Sequence, residues 1–141
     1  MNDGKTLSEN KVVEDKLDVL FRMQAGLDGY IREKRGLDFS KGEWVCKKAM
    51  ALMVELGEVV SEAQYKWWKN YAEIDEAALK EEIVDVLHFF LGMCIDSGMS
   101  ADELFGIYLK KNQENYDRQN GLSQKKGYEL DKSDGKTPDK K

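Results

Sequence analysis

The sequence predicts an all-α fold with a four-helix-bundle-like core, and three observations predict it. Proline occurs once, at Pro138. Long segments repeat their apolar residues at helical spacing and offer few strand signals. Ser or Thr followed three residues later by Glu recurs ahead of apolar stretches, a spacing that caps helix starts. The 141 residues are 41% hydrophobic and 35% charged, a balance that suits one domain with a sizeable core.

The first helix is predicted from about Ser8 to Arg35, opened by Thr6 and Glu9, with Gly26 and Gly29 weakening its middle. "RGLDFSKGE" reads as a loop. Ser40 and Glu43 open a second helix, predicted from about Lys41 to Lys69. "NYAEID" turns the chain into a third, from about Glu76 to Asp96, stopped by Gly98. Ser100 and Glu103 open a fourth, to about Asn120. Residues 1–120 are thus expected to form the folded domain. Residues 121–141 are polar and lysine-rich, hold too few apolar groups to pack, and are expected to be a mobile tail.

No apolar run approaches the ~18 residues of a membrane span, and the first residues lack the basic and apolar regions of a signal peptide. Cys46 and Cys94 fall inside helical segments without a CxxC pair, which reads as reduced thiols in the cytoplasm. The net charge of −5 and pI of about 5.0 argue against broad attraction to nucleic acid. Neither a nucleic-acid nor a membrane partner is expected.

Four acids stand out. In the second helix Val45, Ala49, Leu52, Leu56, Val59 and Ala63 share one arc, with Glu55 at its edge and Glu58 a step further round. The third helix is apolar on most sides, as a buried helix is, yet carries Glu82 and Asp85. Residues three apart share a face, with Cβ atoms about 5–6 Å apart. A short turn makes the helices antiparallel, so both pairs reach similar height at an axis separation of about 8–10 Å. Four converging carboxylates repel one another unless protonated or shared by cations, and all-oxygen ligands suit Mg²⁺ or Mn²⁺. A di-iron site normally takes two Glu-x-x-His pairs, and this chain has one histidine, His88. The alternative is a pair of solvated faces with salt bridges to residues such as Lys48 or Lys80, as in a non-catalytic helical interaction bundle.

Further residues carry the donors and acceptors a ligand would need. Gln24 and Asp28 lie one turn apart on the first helix if it persists through Gly26. Lys111, Asn115 and Arg118 share one face of the fourth, where Arg118 could grip phosphate bidentately. The adjacent Trp67 and Trp68, if helical, point about 100° apart, so one can be core while the other stacks on a base.

"ELGE" followed by "EEIVD" resembles the ExxE…ExxD signature of the all-α nucleotide pyrophosphohydrolases, the MazG-like superfamily. "FRMQAGLDGYI", "QYKWWKN", "DVLHFF" and "NYDRQNGLSQKKGY" extend the resemblance, over Met23 to Tyr128, to its dimeric all-α dUTP diphosphatases. That resemblance implies Mg²⁺-dependent hydrolysis of dUTP to dUMP and pyrophosphate, with dUDP often accepted, by a homodimer. It implies Glu55, Glu58, Glu82 and Asp85 as metal ligands and catalytic acids. Gln24 and Asp28 would face uracil, and Trp68, His88 and Phe89 would line the base and sugar pocket. Lys111, Asn115 and Arg118 would hold sugar and phosphates, with the tail around Lys126 and Tyr128 closing over them. Two features depart from the pattern: the family often has Asn where Asp28 stands, and the segment between Arg118 and the final Gly-Tyr is longer here. Within the superfamily, dCTP or a broader nucleotide range is the alternative substrate.

Overall fold

The protein, described here from a computed structural model covering residues 14–128, is helical in every regular element among those residues. Helix α1 runs Lys16–Arg35. It is opened by Asp15 and Asp18, each side chain accepting from the other's backbone N–H at 3.0 and 3.2 Å. The expected Thr6–Glu9 cap and the helix start near Ser8 lie outside the described residues. The helix passes through Gly26 without interruption: Gln24 Nε2 donates to Asp28 Oδ1 at 3.1 Å, spanning the turn that glycine would weaken. Gly36, at φ 60°, ends it by returning its N–H to the Arg32 and Glu33 carbonyls. Arg32, Lys34 and Arg35 sit in the last turn, where the helix dipole favours positive charge.

Helix α2 runs Lys41–Glu62 behind the Ser40–Glu43 capping box. It stops seven residues before the expected Lys69. Gln64 takes the left-handed conformation, φ 58°, and the chain then folds through tight turns. Trp68 meets Tyr65 and Trp67 edge-on, at centroid distances of 5.9 and 5.6 Å. Trp67 and Trp68 thus lie in these turns and not on α2. The expectation of a helical tryptophan pair is corrected accordingly. Helix α3 runs Glu76–Ser97, with Asp75 accepting from the Ala77 and Ala78 N–H groups and Gly98 at φ 87° closing its end. Helix α4 runs Ala101–Gln119.

The chain divides into two compact units after Ala101. In the first, α2 lies antiparallel along α3 and α1 packs on α3. Its buried side chains are unusually polar: Phe21, Gln24 and Asp28 on α1, and Leu91 and Cys94 on α3 beside Gly92. The expectation that α3 is buried all round is not met in the single chain. Ile83, Val84, Leu87 and Phe90 keep 36–52% of their surface exposed. Leu20, Met23 and Leu27 of α1 are exposed on the flank that, with Val84 and Leu87, borders an apolar cavity of about 190 Å³. No single helix among the described residues is long and apolar enough to cross a membrane.

In the second unit the residues after α4 fold back on it. Ser123 is buried, and its hydroxyl donates to Glu114 at 2.7 Å. Arg118 lies 5.5 Å from the centroid of the Tyr128 ring. Ser123 and Tyr128, in the segment expected to be a tail, thus contact the end of α4. The remainder of the expected tail lies outside the described residues.

Candidate active site

Lys48 on α2 lies opposite Gly92 on α3: a Cβ built on that glycine would stand 2.9 Å from the Lys48 ammonium. Seven residues on along α2, and seven back along α3, the antiparallel register brings Glu55 opposite Asp85. One carboxylate oxygen each from Glu55, Glu82 and Asp85 then lie within 4.8 Å of one another. Seven residues of helix is about 10 Å. The groove between α2 and α3 thus has an acidic end and, about 10 Å away, a second polar end where Lys48 meets Asp28.

At the acidic end Glu55 and Glu82 are half-buried and Asp85 is exposed. Partial burial, followed by repulsion from Asp85, Glu58, Glu55 and Glu62, holds the Glu82 carboxyl above its ordinary range. Glu58 is not one of the three converging carboxylates, and its contribution is its charge. Glu62 was not singled out from the sequence. It stands four residues after Glu58 and seven after Glu55, a spacing that could have revealed it. The site fits a hard divalent cation: three oxygen donors converge, no nitrogen or sulfur donor joins them, and their repulsion is what a cation relieves.

At the other end Asp28 and Lys48 form a buried ion pair, their side chains 6% and 11% exposed. Gln24 ties this pair to His88. A carboxylate can only accept, so Gln24 gives its NH₂ to Asp28 and is left with Oε1, which accepts from His88 Nδ1 at 2.7 Å. That chain fixes the tautomer of His88. Asp28, Lys48 and Phe89 line a cavity of about 210 Å³ with Ile31, Arg32, Trp44 and Lys47. Arg32 stacks 4.0 Å from the Trp44 ring centroid and pairs with the buried Asp96, which fixes the far wall.

The structure therefore joins Gln24, Asp28 and His88 in one hydrogen-bonded network, places Asp28 and Phe89 in the wall of this cavity, with Gln24 and His88 on the neighbouring apolar one, and brings Glu55, Glu82 and Asp85 into one cluster. Trp68 stands in the α2–α3 turn and is 59% exposed. Lys111, Asn115, Arg118, Lys126 and Tyr128 belong to the second unit. There Arg118 donates to Glu114 at 3.0 Å and to Asn115 at 3.3 Å, so its guanidinium already has protein partners. Sequence reasoning treated Lys48 only as a possible surface salt bridge and did not consider Gly92. The signal was present: Lys48 is two helical turns before Glu55, and Gly92 two turns after Asp85.

Comparison of the sequence with known proteins points to a family. A dCTP pyrophosphatase of Enterobacteria phage T4 is 37% identical over 82 residues, covering 58% of this chain and 46% of that protein. A dCTP pyrophosphatase of Enterobacteria phage LZ5 is 39% identical over 80 residues, covering 57% and 45%. A DNA replication protein of phage T4 is 36% identical over 76 residues, covering 54% of this chain and 19% of that protein. The chain thus spans less than half the length of the curated relatives it matches. No solved structure matches it. A sequence model described as dUTPase matches residues 16–103, which include both ends of the groove. The chain belongs to the dUTPase family.

Proposed function

We propose that the protein is a nucleoside triphosphate pyrophosphohydrolase that converts dUTP and water to dUMP and pyrophosphate with the help of Mg²⁺. The observation that carries this reading is the convergence of Glu55, Glu82 and Asp85 within 4.8 Å in a chain of this family. A triphosphate brings about four negative charges, and an acidic groove accepts it only with cations between. When bound, Mg²⁺ would neutralise phosphate charge and acidify water. Glu55, Glu82 and Asp85 would hold it. Glu58 and Glu62 add negative charge that draws cations in. Glu55 is the carboxylate proposed to take the proton from the attacking water.

The base is proposed to occupy the cavity at the Asp28 end, against the face of Phe89. The ~10 Å between the two ends is a span a nucleoside triphosphate bridges, base at one end and phosphates at the other. A second reading, dCTP as substrate, is favoured by the phage relatives, whose names specify that nucleotide.

The test is pyrophosphate release from dUTP, dCTP, dTTP and dATP, each with Mg²⁺. dUTP is expected to give the highest kcat/KM. A preference for dCTP replaces the first reading with the second, and no turnover of any nucleotide overturns both. We further propose a homodimer, because the exposed apolar flanks of α1 and α3 run together in the single chain. Sedimentation should give about twice the 16.2 kDa chain mass, and a monomer at micromolar concentration contradicts this.

A further inference from the structure

In the cavity between α1, α2 and α3 a donor and an acceptor stand side by side. Asp28 Oδ1 is used twice, by Gln24 Nε2 and by the Lys48 ammonium. Asp28 Oδ2 has no hydrogen-bond partner, although the side chain is only 6% exposed. A buried acceptor without a donor is costly, and such atoms are rare enough to call for a reason. Lys48 has three N–H bonds and gives one to Asp28. Its ammonium lies 5.8 Å from the centroid of the Phe89 ring, the wall on which a flat ligand would stack. Gly92 lets both tips lie against α3. A Cβ there would come within 2.9 Å of Lys48 Nζ and 3.0 Å of Asp28 Oδ2, the two tips in question.

Resting on the nucleotide reading above, we propose that Lys48 is a specificity-determining residue. Its ammonium and the free oxygen of Asp28 together read an acceptor and an adjacent donor on the pyrimidine edge. Uracil presents O4 beside N3–H. Cytosine presents N3 beside an N4–H. Each is an acceptor next to a donor, but the order along the edge is reversed. A base whose phosphates are anchored at the acidic end has little freedom to slide, so fixed charges of fixed order fit one of the two edges. The ammonium can only donate and the carboxylate can only accept, so this order cannot invert. An amide in place of Asp28 could rotate to serve either edge, and without Lys48 nothing would oppose that rotation.

The test compares dUTP and dCTP hydrolysis, with Mg²⁺, by wild type, Lys48→Arg, Asp28→Asn, and the double variant Asp28→Asn/Lys48→Met. The double variant removes both charges together, so no unpaired charge is left buried to unfold the chain. The ratio of kcat/KM for dUTP over dCTP is expected to fall about 10- to 100-fold in the double variant, the range of one or two charge-assisted hydrogen bonds. The loss should be carried mainly by KM. Asp28→Asn alone should lose less of the ratio than the double variant, and Lys48→Arg should retain most of it. A merely structural Lys48 would lower melting temperature and both activities together, leaving the ratio within about twofold of wild type, and that result overturns the proposal. If wild type hydrolyses neither nucleotide, the activity reading has failed separately. Equilibrium binding of dUMP and dCMP then decides the role of Lys48. A wild-type preference that vanishes in the double variant supports it, and a preference that persists, or none at all, overturns it.

Discussion

Glu82→Gln is expected to lower kcat/KM by about a thousandfold or more, the scale on which losing a ligand to a catalytic cation acts. Its effect on folding should run the other way. Burial and four neighbouring carboxylates hold the Glu82 carboxyl above its ordinary value of 4.5, so the folded chain binds that proton more tightly than the unfolded chain does. Between the ordinary and the raised value, the native state carries more protons, and stability contributed by this group declines as pH rises. Above the raised value the ionised carboxylate opposes folding unless a cation is bound. Metal-free Glu82→Gln should therefore have a urea midpoint at or above that of wild type at neutral pH. It should also lose part of the decline that wild type shows as pH rises above 4.5. A midpoint well below wild type would mean that Glu82 serves the fold rather than a cation.

Lys48→Met is expected to destabilise the protein by about 3–5 kcal/mol, the cost of leaving one member of a buried ion pair alone. The Asp28 carboxylate is 6% exposed and would keep only the Gln24 amide as a partner. Adding Asp28→Asn should restore most of the loss, since the remaining amide is neutral and can hydrogen-bond in either orientation. Urea denaturation of the two single variants and the double variant measures this. If Lys48→Met costs under about 1 kcal/mol, the pair behaves as an exposed one, and the cavity is wetter than its geometry indicates.

Much of this architecture was legible from local rules. Ser40 with Glu43, and Gly98, fixed the start of α2 and the end of α3, because capping is decided by a few adjacent residues. The convergence of Glu55 with Glu82 and Asp85 followed from helical spacing and a short antiparallel connection. Tertiary contacts were less visible. The aromatic run at Tyr65–Trp68 looked like helix because its residues tolerate helix, yet it lies in turns where its rings meet edge-on. The Asp28–Lys48 pair was missed because its partners lie on different helices, and a lysine among charged neighbours looks solvated until the third helix is placed over it. Gly92 was passed over for the same reason. Its lack of a side chain matters only because Lys48 and Asp28 press against it. The apolar girth of α3 read as burial on all sides, but Ile83, Val84, Leu87 and Phe90 are exposed in the single chain.

The carboxylates of Glu55, Glu82 and Asp85 are proposed to form one cation site. Titration of metal-free protein with Mn²⁺, followed by electron paramagnetic resonance, tests it most directly. Wild type should sequester the ion at neutral pH, Mg²⁺ should displace it, and Glu82→Gln should bind it at least about tenfold more weakly. Equal Mn²⁺ binding by wild type and Glu82→Gln, or none by wild type, would contradict the account.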